Sequence, residues 1–197
     1  MAISAVLQFA SDTDARTIYD AVIEEMGVRD NAPEGAIYHW AAPVPGGIRV
    51  CDLWETAEAF EEFAQAKIGP LTAKHGLKPP AVEVDVVHNI IKGDVTSHSG
   101  MGLIIEVEGD SKKLLAAYDA TNAALGANKK APAGLVMHSC AATAKGIRIV
   151  DHWCSREEFE QFAKVLGPAL AAAGMPDGRF EQFDVYNTID ARVKVAS

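Results

Sequence analysis

Apolar and polar positions change period along the chain in a fixed order, and they do so twice. Residues 3–9 alternate with a period near two, which predicts a strand. Ser11, Asp12, Thr13 and Asp14 are N-cap candidates for a helix to about Met26, in which Ile18, Ala21, Val22 and Glu25 fall at helical spacing. Gly27 is its natural stop. Strands are predicted over 36–42 and 48–54, around the turn-rich 43–47, so the pair reads as a hairpin. Thr56 caps a second helix to about Lys67. Gly69 and Pro70 should break or kink it before a last turn ending at Gly76. Residues 82–91 form the fourth strand. The second series follows: strand 101–107, helix 111–125, hairpin 135–153, helix 157–173 and strand 180–189. Ser155 with Glu158 makes a capping box at the start of that last helix.

The two series are copies of each other. Tyr19-Asp20-Ala21 matches Tyr118-Asp119-Ala120, and the same offset carries Gly35 to Gly134, His39 to His138 and Gly47-Ile48-Arg49 to Gly146-Ile147-Arg148. It also carries Asp52 to Asp151, Trp54 to Trp153, and Phe60 and Phe63 to Phe159 and Phe162. After one deletion, Gly69-Pro70 matches Gly167-Pro168 and Asn89 matches Asn187. An internal repeat of this length has to be recognised before any fold is assigned.

Each copy reads β-α-β-β-α-β, the ferredoxin-like motif, so the fold class is α+β. Right-handed crossovers put both helices of a copy on one sheet face. The other face carries Val84, Val86, Val50 and Ile149, whose exposure would invite aggregation. The expectation is that the two antiparallel sheets face each other as one pseudo-two-fold α/β barrel. Its first ferredoxin-like repeat is 1–92, its linker 93–100 and its second repeat 101–197.

Composition narrows the function classes. A net charge of −9 without a basic cluster argues against nucleic acid and anionic membrane surfaces. An apolar fraction of 49% supplies a core, but no run approaches the ~20 apolar residues of a membrane span. The first residues lack the basic start of a signal peptide. Three cysteines, Cys51, Cys140 and Cys154, suit reduced thiols in a cytoplasmic protein.

The pattern His, Gly-Gly, Asp-x-Trp-Glu, Phe-x-x-Phe, Gly-Pro, Asn resembles the dimeric α/β-barrel superfamily. Within it, the chain is similar to antibiotic-biosynthesis-monooxygenase-like proteins, with two copies fused in tandem. The resemblance implies a range of activities: cofactor-independent monooxygenases, haem-degrading and haem peroxidase-like proteins, and polyketide cyclases. The haem-degrading branch places an Asn on the first strand and a Trp and a ligating His on the second helix. Here the first strands offer Ser4 and Gln8, or Gly102 and Glu106, and His75 corresponds to Ala173.

Several constellations could carry chemistry. If Pro43 opposes Ile48 in the hairpin, His39 stands across from Asp52, and His138 from Asp151 in the second copy. A carboxylate beside an imidazole fixes its tautomer, as a general base requires. The plain alternative is a structural hydrogen bond in the core, and a one-residue slip of register would separate each pair. His138-x-Cys140 and His152-x-Cys154 bring four zinc-type donors onto one hairpin, but only in a register that separates His138 from Asp151. No metal is expected on that ground. Trp54, Trp153 and the paired phenylalanines are core, or the wall of an aromatic-ligand pocket. Arg49 and Arg148 could meet an acidic ligand group or form edge salt bridges. Asn89 and Asn187 read as turn or edge hydrogen-bonders.

The copies differ at Trp40 against Ser139, Leu53 against His152 and His88 against Tyr186, which suggests that one half keeps a pocket. His152 and Tyr186 favour the second half. The expectation is a cofactor-independent monooxygenase- or cyclase-like enzyme for a small aromatic or polyketide-like molecule. His138, Asp151, His39 and Asp52 are its catalytic candidates, and Trp153, His152, Tyr186, Trp54 and Arg148 its ligand-binding candidates. The alternatives are a non-catalytic binding or structural barrel and a haem-binding protein. Either a monomer with an intrachain barrel or a homodimer is compatible with the fusion.

Overall fold

The computed structural model describes residues 1–11, 14–29 and 31–193. It is a mixed α+β structure whose described residues form nine strands, β1 (Ile3–Ala10), β2 (Ala36–Val44), β3 (Gly47–Trp54), β4 (Ala81–Lys92), β5 (Gly100–Glu108), β6 (Leu135–Thr143), β7 (Gly146–Trp153), β8 (Arg179–Val185) and β9 (Asn187–Asp190). The helices are α1 (Ala15–Met26), α2 (Ala57–Phe63), α3 (Gly69–Lys74), α4 (Ser111–Leu125) and α5 (Arg156–Ala172).

Local signals start and stop the helices as expected. Asp14 caps α1 and Gly27 ends it in the left-handed conformation, while the candidates Asp12 and Thr13 lie outside the described residues. Thr56 and Ser155 cap α2 and α5 by accepting from the backbone N–H of Ala59 and Glu158. Between α2 and α3 the chain forms a π-helical turn, Ala64–Ile68, instead of breaking. Pro70 lacks a donor and its ring would strike the carbonyl four residues back, and the wider turn sits at that carbonyl. In α5 the equivalent Pro168 is carried inside a continuous helix.

Both hairpins turn over two residues, and the pairing of β2 and β3 runs past the expected strand ends, by two residues to Val44 and by one to Gly47. Gly47 and Gly146 recur for a steric reason. A Cβ at Gly47 would lie 1.8 Å from the carbonyl oxygen of Phe9, and one at Gly146 would lie 2.0 Å from that of Val107. The following arginine recurs because it bonds across to the first strand of its copy: Arg49 Nε donates to Gln8 Oε1, and Arg148 to Glu106 Oε1.

The chain divides into two compact units, Met1–Val84 with Val185–Ser197, and Asp85–Asp184. They do not coincide with the repeats 1–92 and 101–197, because the last strand of each copy crosses from one unit to the other. Residues 87–92 of β4 pair with β6 inside the second unit. The closing strand, expected as one run over 180–189, is interrupted at Tyr186. Its first part, β8, lies beside β5 in the second unit, while β9 pairs with β2 in the first. In the first unit β3 lies between β1 and β2, with β9 outside β2. In the second the order is β8, β5, β7, β6, β4.

Each unit has its own core. Leu7, Phe9, Ile23, Val50, Trp54 and Phe60 pack together in the first. Val107, Leu114, Tyr118 and Ile147 pack in the second, beside a cluster of Ile91, Met101, Leu135 and Trp153. The expectation that all four marker residues would be covered fails on β4. Val50 and Ile149 are covered, but on the helix face, where they line cavities, and not on the opposite face where they were expected; Val84 and Val86 remain 45% and 47% exposed. They precede the part of β4 that pairs with β6. No described helix is long and apolar enough to cross a membrane.

Candidate active site

The hairpin register places His39 opposite Asp52 and His138 opposite Asp151, in both cases on the face that carries the helices. His39 Nδ1 lies 2.6 Å from Asp52 Oδ1, and His138 Nδ1 lies 2.6 Å from Asp151 Oδ1. A carboxylate can only accept, so Nδ1 carries the proton and Nε2 of a neutral ring is left as an acceptor.

A tyrosine from the first helix of each copy fills that position. The Tyr19 hydroxyl donates to His39 Nε2 over 2.7 Å, and the Tyr118 hydroxyl to His138 Nε2 over 2.6 Å. The rings of each pair are nearly parallel. Each phenol oxygen in turn accepts from an asparagine on a crossing strand. In the first unit this is Asn187 Nδ2 at 2.8 Å, and in the second Asn89 Nδ2 at 2.9 Å. Each relay Asn–Tyr–His–Asp is therefore completed by a residue of the other copy. Tyr19 and Tyr118 lie in a repeated triplet, but nothing local in the sequence marks them as partners of the histidines. Asn89 and Asn187 join the relays instead of acting as turn or edge groups, and no local signal says which unit a last strand will join.

A cavity opens beside each relay, between the sheet and the helices. The first has a volume of about 80 Å3 and is lined by Tyr19, His39 and Asp52 together with Leu7, Trp54 and Phe63. The second, about 120 Å3, is lined by Tyr118, His138 and Asp151 with Trp153, Phe159 and Phe162. The expectation of one surviving pocket is thus corrected. Trp40, Ser139, Leu53, His152, His88 and Tyr186, where the copies differ, line neither cavity, while the tyrosine, histidine, aspartate and tryptophan recur in both. Trp54 lies 5.2 Å from Phe63 between ring centroids, and Trp153 lies 5.4 Å from Phe162. Trp153 Nε1 donates to Asp151 Oδ2, whereas Trp54 Nε1 has no hydrogen-bond partner.

The remaining ligand-binding candidates lie elsewhere. Side chains alternate along β7, so Ile149, Asp151 and Trp153 face the cavity while Arg148 and His152 point to the opposite sheet face. Arg148 is held there by Asp85 and Glu106. His152 is fully buried and its Nε2 lies 3.1 Å from the carbonyl oxygen of Ser99. Tyr186 belongs to the first unit, not the second. Its hydroxyl donates to Asp20, its ring lies edge-on to Tyr19, and the Arg16 guanidinium sits 4.1 Å above it. Among the described residues no three metal-binding side chains come together. The alternation of β7 and the His138–Asp151 pairing separate the donors of the supposed zinc hairpin.

Burial controls the protonation of the two tyrosines. Loss of solvent raises the pKa of Tyr19 and Tyr118 well above that of a free phenol, and the hydrogen bonds from Asn187 and Asn89 offset this only in part. A lone phenolate is therefore disfavoured. Burial likewise pushes the Cys140 thiol up to about 12.

Haem does not fit either cavity. A porphyrin is larger than the drug-sized ligands that need roughly 300 Å3 or more, and both ring nitrogens of His39 and His138 are already hydrogen-bonded.

No protein-family model matches the chain, and no curated protein matches it. Solved structures do. A "putative monooxygenase" from Lactobacillus acidophilus NCFM is 12% identical, with 96% of each chain covered and a TM-score of 0.74. An anthrone oxidase-like protein is 15% identical over 100% of this chain and 96% of its own, with a TM-score of 0.54. A chlorite dismutase variant from Candidatus Nitrospira defluvii is 11% identical over 93% and 90%, with a TM-score of 0.60. At such identities the likeness shows the fold. It is an α+β fold of antiparallel strands and helices in the ferredoxin-like βαββαβ pattern.

Proposed function

We propose that the protein is a cofactor-independent monooxygenase- or cyclase-like enzyme that removes a proton from a small, electron-rich aromatic molecule. The single observation that carries this reading is a buried Asn–Tyr–His–Asp relay opening onto an apolar, aromatic-walled cavity, built twice in one chain. The names of the neighbouring structures, a monooxygenase and an anthrone oxidase-like protein among them, agree with the class of reaction.

In the second unit the Tyr118 hydroxyl takes the substrate proton while its own passes to His138 Nε2. Asp151 holds Nδ1–H and balances the imidazolium that results. Burial disfavours a lone phenolate, which suits a transfer in which both protons move together. Asn89 positions the phenol oxygen. Tyr19, His39, Asp52 and Asn187 perform the same steps in the first unit, and Trp153 or Trp54 holds the electron-rich ring. The substrate anion then reacts with dioxygen, converting CH2 to C=O with release of water, or attacks a carbonyl within the same molecule. Both outcomes share the proton abstraction, which is the part these residues perform. The second cavity, about 120 Å3, is near the ~150 Å3 that accommodates benzene, which favours a substrate of about one ring there; the first, about 80 Å3, is smaller.

The test is exchange of the acidic C–H protons of single-ring 1,3-dicarbonyl and phenolic probes in D2O, followed by NMR beside oxygen uptake. Wild type should catalyse exchange, Y118F or Y19F alone should retain part of it, and the double variant should lose it. Exchange undiminished in the double variant refutes the relay. Saturable binding without exchange in wild type would instead favour the non-catalytic binding alternative.

A further inference from the structure

We propose that the cavity of the second unit binds a neutral single-ring aromatic carbonyl compound, and that Asn122 is the donor that selects its carbonyl oxygen. The inference names the ligand class of the proposed active site and rests on that reading for its location.

The two cavities are built from equivalent positions, but their helix walls differ. Where α1 presents Val22 and Ile23, α4 presents Thr121 and Asn122. The Thr121 hydroxyl returns to its own helix, donating to the Ala117 carbonyl at 2.9 Å. Asn122 has no such outlet. It is only 7% exposed, it lines the cavity, and its Nδ2 has no hydrogen-bond partner. Its amide lies close enough to the Tyr118 oxygen to favour the phenolate but makes no hydrogen bond to it, and that oxygen already accepts from Asn89. A buried donor left unpaired is a standing cost that the Ile23 of the other cavity avoids, and an acceptor atom on a ligand removes it.

The rest of the lining defines what carries that acceptor. Trp153, Phe159 and Phe162 present ring faces, and the volume of about 120 Å3 is close to what one ring fills. No lysine or arginine lines the cavity, and its carboxylate, Asp151, already accepts from His138 and Trp153. A carboxylate or phosphate would therefore enter without a counter-charge. An aryl ketone or aldehyde satisfies the Asn122 donor and brings no charge.

Acetophenone and ethylbenzene differ in the carbonyl and little in shape, so they serve as probes. They are titrated into the full chain while the Asn122 side-chain amide is followed in 1H–15N spectra, its signal assigned by its absence in N122L. Acetophenone should shift that amide and bind wild type roughly tenfold more tightly than ethylbenzene, the worth of one satisfied buried donor. N122L should bind both alike. N122I, which installs the residue type the first cavity carries at the equivalent Ile23, should also lose the preference, and it decides the matter if N122L does not fold. An unmoved Asn122 amide, a preference unchanged in either variant, or no binding of acetophenone would overturn the assignment. H138Q should lose proton exchange but keep the preference. If wild type shows the preference and no exchange, the proton-abstraction reading fails and the Asn122 assignment stands.

Discussion

Removing the hydroxyl of Tyr118 isolates one atom of the relay. Tyr118→Phe keeps the ring, which is 4% exposed and packed in the second core, so the change tests hydrogen bonding and not volume. Two bonds disappear, to His138 Nε2 at 2.6 Å and from Asn89 Nδ2 at 2.9 Å. Each is worth about 1 kcal/mol net, and an acceptor left unpaired in the interior adds about 1–3 kcal/mol. The His138 side chain is 12% exposed, so its Nε2 falls under that penalty. Asn89 keeps a second acceptor, Asn128 Oδ1 at 2.9 Å, and adds little. The expected loss is therefore about 3 kcal/mol, read as a shift of urea midpoint at constant m-value. In a chain of this size it lowers Tm by about 6–12 °C. Y186F is the comparison, because the Tyr186 hydroxyl bonds Asp20 near the surface and its loss should cost far less. A Y118F variant as stable as Y186F would refute the idea that the relay is a buried, fully satisfied network.

Three further outcomes follow from the geometry. Asn89→Leu and Asn187→Leu should loosen opposite units to their place in the repeats. In hydrogen exchange, N89L should lower protection in β6 and β7, and N187L in β2 and β3; the reverse pattern would refute the crossing of the last strands. Glu106 has its pKa lowered first by Arg179 and then by Arg148. Its contribution to stability is present above the ordinary carboxylate range and is lost as pH falls through the lowered folded-state value. E106Q should thus be less stable than wild type at pH 7, and the gap should close on acidification below about pH 4; a gap independent of pH would contradict this. Finally, with its thiol pushed up to about 12, Cys140 should stay unmodified by iodoacetamide at pH 8 in the native protein, as peptide mass analysis would show.

Much of this architecture is legible in the linear chain. Strand and helix periods, the caps at Thr56 and Ser155, and the repeated Gly-Ile-Arg define two βαββαβ copies, because each signal acts within a few residues. The hairpin register was equally accessible: a two-residue turn fixes which side chains oppose each other, so His39 meets Asp52 without reference to the rest of the molecule. Alternation along β7 also excludes Arg148 and His152 from any site that contains Asp151.

Tertiary structure alone decided the remainder. Whether Tyr118 meets His138 depends on how α4 lies across its sheet, and a repeated Tyr-Asp-Ala triplet carries no information on that packing angle. Where the last strand of each copy goes is still less local. Asn89 and Asn187 complete relays of the opposite copy because β4 and β9 pair with hairpins distant in sequence, and such pairings are chosen by the burial they achieve together. The orphaned amide of Asn122 is visible only once α4 has turned it inward. Residue order determined the copies and their chemistry of one imidazole beside one carboxylate. Folding supplied the phenol, the asparagine and the cavity, since those meet only across contacts that no short-range rule specifies.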